Sequence, residues 1–169
     1  MVKVSTQRIT VCAVVAVLYV VLTTGFGIIS YGPIQIRFAE ILNLLAFFNP
    51  VFIFAITVGV FISNIFSPYG LVDMVLGTLA SFISLVLVWA SARLGSLLLA
   101  SFWPIIVNAI IIAFLILIAT NTPISFASFT PIAISISIGQ SIAMLGMAYP
   151  IFKYLTKRQE HIIKMIRDI

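Results

Sequence analysis

Charged residues are scarce in this chain of 169 residues, which has nine Lys or Arg, four Asp or Glu and a single His. Hydrophobic residues make up 63% of the sequence and charged residues only 8%, whereas a soluble domain has about a quarter of its residues charged. A soluble domain of this size leaves much of its surface in water, and a chain this apolar could not cover that surface with polar residues. Soluble globular proteins are therefore excluded. The composition therefore predicts an integral membrane protein.

The rarity of cysteine and histidine removes several kinds of site. The only cysteine is Cys12 and the only histidine is His161, so no disulfide can form within the chain and no Cys/His zinc cluster can assemble. The sequence also lacks a glycine-rich phosphate-binding loop and a Ser-His-Asp arrangement. We therefore expect no metal, no cofactor, and no ATPase or hydrolytic activity in this chain.

Apolar runs follow one another along the chain, separated by turn-forming residues. About 20 apolar residues make one helical span, and the first run is too long for the apolar region of a cleaved signal peptide. The proline of Asn49-Pro50 interrupts the second stretch, which is either two short helices or one kinked helix. The predicted spans are residues 9–29, 38–48, 51–66, 71–90, 98–120 and 132–152, followed by a basic tail at 153–169.

The distribution of basic residues favours six spans over five. Lys and Arg are enriched in cytoplasmic loops, and with six helices both termini and the loop containing Arg93 lie on one side. That side then holds eight of the nine basic residues. We predict a single all-α membrane domain over residues 1–169, a bundle of six transmembrane helices with both termini cytoplasmic. The amphipathic tail is predicted to lie on the inner membrane surface. The positive charge at the two ends thus reports topology and not nucleic-acid binding.

Three charged residues have no cytoplasmic explanation: Arg37, Glu40 and Asp73. All three map to the outer half of the predicted bundle, where a charge must face the bundle interior or a water-filled cavity. Arg37, Glu40 and Asn43 are spaced i, i+3, i+6 and form one polar stripe if this segment is helical. We expect Arg37 to pair with Glu40. The pair either caps a helix at the interface or lines a ligand cavity, and Asp73 either favours a helix dipole or contacts a ligand.

Uncharged side chains that can donate and accept hydrogen bonds extend this set of candidates. Asn64 is followed by Asp73 near the same membrane face. Asn108 and Gln140 lie in later spans, where they either bind a ligand or tie helices together. A small bundle with a polar site of solute size and no visible energy source indicates a binding subunit of a larger machine.

Two ordered stretches resemble the signatures of a known family, and the similarity covers most of the chain. Residues 34–42, Ile-Gln-Ile-Arg-Phe-Ala-Glu-Ile-Leu, are similar to an IQxRxxE signature. Residues 63–80 are similar to a second signature, NxxSPxGxxDxxxGTxA. The chain therefore resembles the queuosine-precursor transporter family of the QueT type.

The resemblance implies the substrate-binding S component of an energy-coupling-factor (ECF) transporter, a multi-pass protein of the bacterial plasma membrane. Such components have six helices, bind a micronutrient near the outer face and work with a membrane-embedded T component and two cytoplasmic ATPases. The first helix often carries an AxxxA pattern for the T component. Here Ala13 is followed four residues later by Val17, and Cys12 with Ala16 substitutes for the pattern, so Cys12, Ala13 and Ala16 are the candidate docking residues.

The ligand implied by the resemblance is a 7-deazaguanine such as preQ1, preQ0 or queuine. Glu40 or Asp73 could accept two neighbouring N–H groups of such a ring, and Arg37 could donate to its carbonyl oxygen. A flat ring could stack on an aromatic side chain. Tyr31, Gln35 and Phe38 complete the candidate site, and the loop 30–37 is the natural lid.

Two alternatives stay open at this point. The chain could be an S component for another flat, polar vitamin. It could also be a structural or regulatory membrane subunit that binds no small ligand.

Overall fold

The computed structural model describes residues 6–32 and 35–169, and these residues form helices and connections without any β-strand. Lys3 of the predicted inner side, and Pro33 and Ile34 of the predicted lid, lie outside the described residues. The α-helices are α1 Thr6–Gly25, α2 Gly27–Ser30, α3 Leu45–Phe48, α4 Val51–Asn64, α5 Thr78–Ser91, α6 Leu97–Ala119, α7 Phe126–Ser141, α8 Tyr149–Arg158 and α9 Glu160–Asp168.

Helical segments of other pitch join these α-helices into longer units. A 3₁₀-helix, Phe38–Leu44, leads directly into α3, and another, Ala92–Leu94, follows α5. A π-helical turn, Asp73–Gly77, precedes α5, and a second π-helical segment, Ile142–Ala148, joins α7 to α8. As a result, Phe38–Phe48, Asp73–Leu94 and Phe126–Arg158 are continuous helical elements even where their local geometry departs from an α-helix.

Among the described residues, four helices are long and apolar enough to cross a membrane. They are Thr6–Gly25, Asp73–Leu94, Leu97–Ala119 and Phe126–Arg158. The segments Phe38–Phe48 and Val51–Asn64 are apolar but shorter. The all-helical class is confirmed, whereas the count of six membrane spans stays a prediction.

The helical geometry is interrupted between these two shorter segments at Asn49-Pro50, so they are two helices and not one kinked helix. A residue before proline avoids α-helical geometry, and Asn49 is extended, with φ −151° and ψ 123°. The Asn49 side chain then restarts the helix, because its Oδ1 accepts a hydrogen bond from the Val51 amide at 3.0 Å. A side-chain oxygen in this position satisfies an amide that has no partner within the helix.

The last long helix begins at Phe126, six residues before the predicted start of its span. Ser125 and Ser128 form a reciprocal capping box, in which each side chain accepts a hydrogen bond from the other residue's amide. This cap turns half of the polar stretch 121–131 into helix. The helix therefore begins within the polar stretch that precedes the predicted span.

Small and branched side chains form the close contacts between the helices of the bundle. α1 packs along α4, and α6 packs between α5 and α7. At the first of these contacts Gly59 lies so close to α1 that an added Cβ would stand 2.8 Å from the Tyr19 Cβ and 2.9 Å from the Ala16 carbonyl oxygen. The small side chains thus let the two backbones approach, as is usual for membrane helices.

The carboxy-terminal tail folds back on the bundle. Asn49 Nδ2 donates to the carbonyl oxygens of Ile166 and Arg167 at 3.2 Å each. Ile163 of α9 is buried, and the Arg167 guanidinium lies 5.8 Å from the centre of the Phe48 ring. The tail is therefore a helix that is fixed to the elbow between α3 and α4.

Candidate functional site

Arg37 reaches from the loop before the 3₁₀-helix to side chains of two other elements. Its Nη1 lies 3.4 Å from Asn64 Oδ1 at the end of α4, and its Nη2 lies 3.4 Å from Asp73 Oδ2. The side chains of Arg37 and Asp73 are only 5% and 1% exposed. An unpaired charge inside an apolar bundle costs about 2.5–3.5 kcal/mol on insertion scales. Pairing explains why both charges are tolerated at this depth.

Glu40 is the most deeply buried charged residue of the site, with no exposed surface. Its Oε1 accepts a hydrogen bond from the Tyr19 hydroxyl at 3.0 Å, and its Oε2 accepts one from Asn43 Nδ2. The Gln140 side chain on α7 is close enough to this carboxylate to act on its electrostatics. Donors from α1 and the 3₁₀-helix therefore converge on one acidic group.

The 3₁₀ geometry explains how Glu40 and Asn43 come to share a face. A 3₁₀-helix has three residues per turn, so side chains at i and i+3 lie one above the other. Arg37 is the residue just before this helix and its side chain leaves in another direction, toward Asp73. Only Glu40 and Asn43 of the predicted polar stripe share a face, and the predicted pair of Arg37 with Glu40 is wrong, because the ion pair joins Arg37 to Asp73.

Asp73 opens the π-helical turn and is held there by Asn64. Asn64 Nδ2 donates to the Asp73 carbonyl oxygen at 3.0 Å. The Asp73 carboxylate oxygen Oδ2 faces Arg37, and Oδ1 has no hydrogen-bond partner among the described residues. π-Helical turns are rare and occur frequently at functional sites.

The absence of a side chain at Gly77 leaves room for the Asp73 carboxylate. A Cβ added at Gly77 would overlap Asp73 Oδ1 and would stand 2.9 Å from Asn64 Nδ2. Any side chain at this position, four residues after Asp73 on the same turn, would therefore displace the Asp73 carboxylate.

Tyr31 covers Arg37 from the loop that precedes the 3₁₀-helix. Its hydroxyl donates to the Ser63 carbonyl oxygen at 2.6 Å, and its ring centre lies 5.5 Å from the guanidinium carbon of Arg37. Partial burial raises the pKa of the Tyr31 phenol above its ordinary value, so this group stays a neutral donor at physiological pH. Gln35, in the same loop, is buried and has a φ of +49°, a strained conformation for a residue with a side chain.

These residues form one connected group, because Tyr19 interacts with Arg37 as well as with Glu40. We refer to this group as the polar cluster, and it is covered by Tyr31. Its members are Tyr19, Arg37, Glu40, Asn43, Asn64, Asp73 and Gln140.

The polar cluster does not satisfy all of its own hydrogen-bonding groups. Among the described residues, Asn43 Oδ1, Asp73 Oδ1, Gln140 Oε1 and Arg37 Nε are buried without a hydrogen-bond partner. A buried polar atom without a partner is costly, and each such atom in a folded protein calls for an explanation. Three acceptors and one donor of the cluster thus have no partner among the described residues.

Two candidates predicted from the sequence lie apart from these contacts. Phe38 packs edge-on against Phe26, with ring centres 4.9 Å apart. Asn108 is buried on α6, and its Oδ1 has no hydrogen-bond partner among the described residues. Their part in a ligand site stays a prediction.

Sequence reasoning missed two members of the site, Tyr19 and Gly77. Tyr19 has a hydroxyl in the middle of an apolar span, which is a signal for a buried polar partner. Gly77 lies four residues after an intramembrane acid, but its role depends on the direction of that side chain. Only the packed structure gives that direction.

The candidate docking residues line a groove that includes no member of the polar cluster. This groove, of about 430 Å³, runs between α1 and α4 and is mostly apolar. Ala13 is exposed, Cys12 is half-buried, and Ala16 is buried against α4. The groove begins near Arg8, at the opposite end of α1 from Gly25.

The polar cluster lies at one end of the helices, and basic residues outside the cluster, such as Arg8 and Arg93, lie at the other end. Tyr19 lies three turns beyond Arg8 on α1, and Asp73 and Arg93 lie near opposite ends of the helix Asp73–Leu94. The charge gradient along the bundle therefore separates a basic end from an end that contains paired, buried charges.

Comparison with known proteins gives two matches, which cover different lengths of the chain. The sequence model of the family described as QueT transporter matches residues 9–157. A curated protein from Lactococcus lactis subsp. cremoris (strain MG1363), named Queuosine precursor transporter QueT, is 47% identical over 85 residues. That alignment covers 49% of this chain and 50% of the relative, so the chain spans about half the length of this relative. No solved structure matches the chain.

Proposed function

The chain belongs to the QueT transporter family, and we propose that it is the substrate-binding S component of an ECF-type importer that captures a queuosine precursor at the outer face of the membrane. The observation that carries this proposal is the buried polar cluster. Two carboxylates, one guanidinium and several amides lie together in a bundle that is otherwise apolar, and some of their atoms have no partner. In a membrane protein such groups indicate a solute site.

The chemistry of the polar cluster suits a 7-deazaguanine such as preQ1, preQ0 or queuine. The guanine-like edge presents neighbouring N–H donors, which a carboxylate can accept as a pair. Asp73 Oδ1 and the unpartnered amide oxygens of Asn43 and Gln140 supply acceptors for such donors. Arg37 Nε is the donor for the ring carbonyl oxygen.

Stacking and enclosure come from the loop 30–37 in this proposal. The Tyr31 ring lies over Arg37, and its hydroxyl ties the loop to the end of α4. Release of this hydrogen bond would let the loop move as a lid over the polar cluster. Gln35, with its strained backbone, is the hinge candidate.

The orientation follows from the charge gradient. Cytoplasmic ends are rich in Lys and Arg, so we propose that the basic end with Arg8, Arg93 and the tail is cytoplasmic and that the polar cluster faces outward. The two shorter segments support six passes, because each connects the two ends. Phe38–Phe48 runs from the cluster to the tail, and Val51–Asn64 returns from the groove near Arg8 to Asp73.

The energy for uptake is proposed to come from partner proteins, and the transporter family implies that the chain is not itself an enzyme. We assign the groove between α1 and α4, with Cys12, Ala13 and Ala16, as the docking surface for the T component. Small side chains let a partner helix approach closely. Two cytoplasmic ATPases would complete the importer in the plasma membrane.

The proposal is tested by ligand-induced stabilisation of the purified chain. A ligand that binds only the folded protein raises its melting temperature, and the stabilisation grows with the logarithm of ligand concentration relative to the dissociation constant. We expect preQ1 or another deazaguanine to stabilise the chain, and riboflavin and biotin to leave it unchanged. Stabilisation by one of these vitamins alone would favour an S component of different specificity. If no small solute has any effect, the structural or regulatory alternative holds.

A substitution in the polar cluster tests the site itself. We expect Glu40→Gln to weaken binding by about 1.5–3 kcal/mol, the range for a hydrogen bond to a charged group. Glu160→Gln is the matched control, because Glu160 is exposed on α9. If the dissociation constant of Glu40→Gln equals that of the control, Glu40 is not part of the site.

A further inference from the structure

The end of the bundle opposite the polar cluster carries an excess of positive charge. Its acidic side chains are Glu160 and Asp168, both exposed on α9. Within the described ranges the one ion pair is that of Arg37 with Asp73, so no basic side chain at this end is paired with a carboxylate. An anion from outside the chain can therefore compensate this charge. The basic side chains of this end are all exposed: Arg8, Arg93, Lys153, Lys157, Arg158, Lys164 and Arg167.

A hollow of about 450 Å³ opens at the basic end. Its walls come from α3, from the connection between α5 and α6, and from α8 and α9. Phe48 and Leu97 give these walls an apolar part, and Arg167 gives them a cation. Neither Glu160 nor Asp168 lines the hollow. The hollow therefore offers a positive charge beside apolar surface, with no acidic side chain in its walls.

Aromatic side chains that contact cations indicate the depth of the hollow in the membrane. The Trp89 ring centre lies 5.4 Å from the guanidinium carbon of Arg93, and the Tyr149 ring centre lies 5.1 Å from Lys153 Nζ. Trp and Tyr are enriched where a membrane meets water, with their rings at the level of the head groups. Arg93 follows directly on Ala92, which lines the hollow. The hollow thus opens at the level of the lipid head groups.

We propose that this hollow binds the head group of an anionic phospholipid from the leaflet at the basic end, with Arg167 as the residue that binds the phosphate. Basic pockets between membrane helices suit anionic head groups, and a guanidinium matches the geometry of phosphate oxygens. The Arg167 guanidinium lies 5.8 Å from the centre of the Phe48 ring, a contact that keeps the cation at the wall of the hollow. Phe48 and Leu97 would contact the apolar part of the lipid next to its head group.

This inference goes beyond the proposed function, because it does not depend on the ligand of the polar cluster. A lipid in the hollow would contact α9 through Arg167 and the connection between α5 and α6 through Ala92 and Leu97. The tail would then be tied to the bundle by a lipid as well as by its hydrogen bonds with Asn49.

Two lipids with the same acyl chains and different head groups test the proposal. Dioleoyl phosphatidylglycerol carries a negative charge, and dioleoyl phosphatidylcholine has no net charge. Native mass spectrometry of the full-length chain in detergent, titrated with each lipid, gives the dissociation constant of the first bound lipid. We expect phosphatidylglycerol to bind about fivefold more tightly or better, the factor that one basic side chain contributes near anionic lipid. An excess of inorganic phosphate should not displace it, because phosphate has no apolar part.

Two variants locate the lipid. Arg167→Gln removes the cation and should weaken phosphatidylglycerol binding about fivefold. Arg158→Gln is the matched control, because Arg158 is exposed on α8 and does not line the hollow. Ala92→Leu places a larger side chain in the wall of the hollow without any change of charge. It should also weaken phosphatidylglycerol binding, and it keeps the test valid if Arg167→Gln does not fold.

Four results would overturn the proposal. Equal affinity for the two lipids would show that the head-group charge is not recognised. Equal loss of affinity in Arg167→Gln and Arg158→Gln would show attraction by overall charge alone. Unchanged binding in Ala92→Leu would mean that the lipid lies outside the hollow. Displacement by inorganic phosphate would indicate a site for free anions. All four leave the test with deazaguanines unaffected, so failure here is distinct from failure of the proposed function.

Discussion

Gly77 lies against the carboxylate of Asp73, and the volume that any side chain at position 77 would need is already occupied by Asp73 Oδ1. The two residues are four positions apart on the π-helical turn. This contact keeps the acidic group directed along its own helix toward Asn64 and Arg37. The geometry of the polar cluster therefore depends on a residue that has no functional group.

Replacement of Gly77 by alanine is predicted to disturb the polar cluster. The added Cβ would overlap Asp73 Oδ1 and press on Asn64 Nδ2, and overpacking of this kind typically costs about 1–3 kcal/mol. We expect Gly77→Ala to weaken ligand binding by at least about tenfold, measured by titration calorimetry. Gly25→Ala is the control, because a Cβ at Gly25 has no neighbour within 4 Å. Equal binding by the two variants would contradict this role of Gly77.

Tyr19 is predicted to hold the Glu40 carboxylate in place. Tyr19→Phe removes the hydroxyl that donates to Glu40 Oε1 at 3.0 Å, and a buried acceptor that loses its donor costs about 1–3 kcal/mol. We expect a lower melting temperature in detergent and weaker ligand binding. The control is Tyr154→Phe, which removes a hydroxyl from an exposed side chain of α8. An unchanged melting temperature in Tyr19→Phe would show that this hydrogen bond is not needed.

The hydroxyl of Tyr31 is predicted to slow the release of ligand. Tyr31→Phe removes the hydrogen bond to the Ser63 carbonyl oxygen but keeps the ring over Arg37. Loss of about 0.5–1.5 kcal/mol corresponds to dissociation that is about 2- to 10-fold faster, measured by stopped-flow fluorescence. Because burial raises the pKa of this phenol, the release rate should not depend on Tyr31 ionisation between about pH 6 and 8. Tyr69→Phe, in a neighbouring loop, should leave the rate unchanged.

Asn49 is predicted to fix both the elbow before α4 and the tail. Asn49→Ala removes the cap on the Val51 amide and both hydrogen bonds to α9, and loss of such a cap costs about 1 kcal/mol. We expect a lower melting temperature and faster hydrogen exchange in α9. Asn49→Asp keeps the accepting oxygen for Val51 and loses the donor to the tail. It should therefore affect only α9. Unchanged protection of α9 from exchange in both variants would show that Asn49 does not fix the tail.

Labelling of single cysteines is predicted to show the topology. Because Cys12 is the only cysteine of the chain, a Cys12→Ala background carries one reactive group at a time. Ser125→Cys should react with a membrane-impermeant maleimide on intact cells, and Arg158→Cys should react only after permeabilisation. Protection of position 125 on intact cells would contradict six passes with cytoplasmic ends.

Much of the architecture could be predicted because it depends on local composition. The scarcity of charge and the length of the apolar runs identify a helical membrane protein, and the proline of Asn49-Pro50 predicts the interruption of the second apolar stretch. The start of the last long helix could not be placed in this way. It depends on a reciprocal contact between Ser125 and Ser128, which a polar loop of the same composition would also permit.

The sequence by itself determined that this chain is a membrane protein. It also identified Arg37, Glu40 and Asp73 as charged residues that need a polar environment within the bundle, because the cost of a charge in hydrocarbon applies whatever the fold. Only the tertiary structure decided that Arg37 pairs with Asp73, 36 positions away, and that Tyr19 and Asn43 hold Glu40. Spacing along a helix can bring Arg37 near Glu40, but partners from separate helices meet only when those helices pack. Helix packing, and not distance along the chain, therefore determines which of the two carboxylates pairs with Arg37.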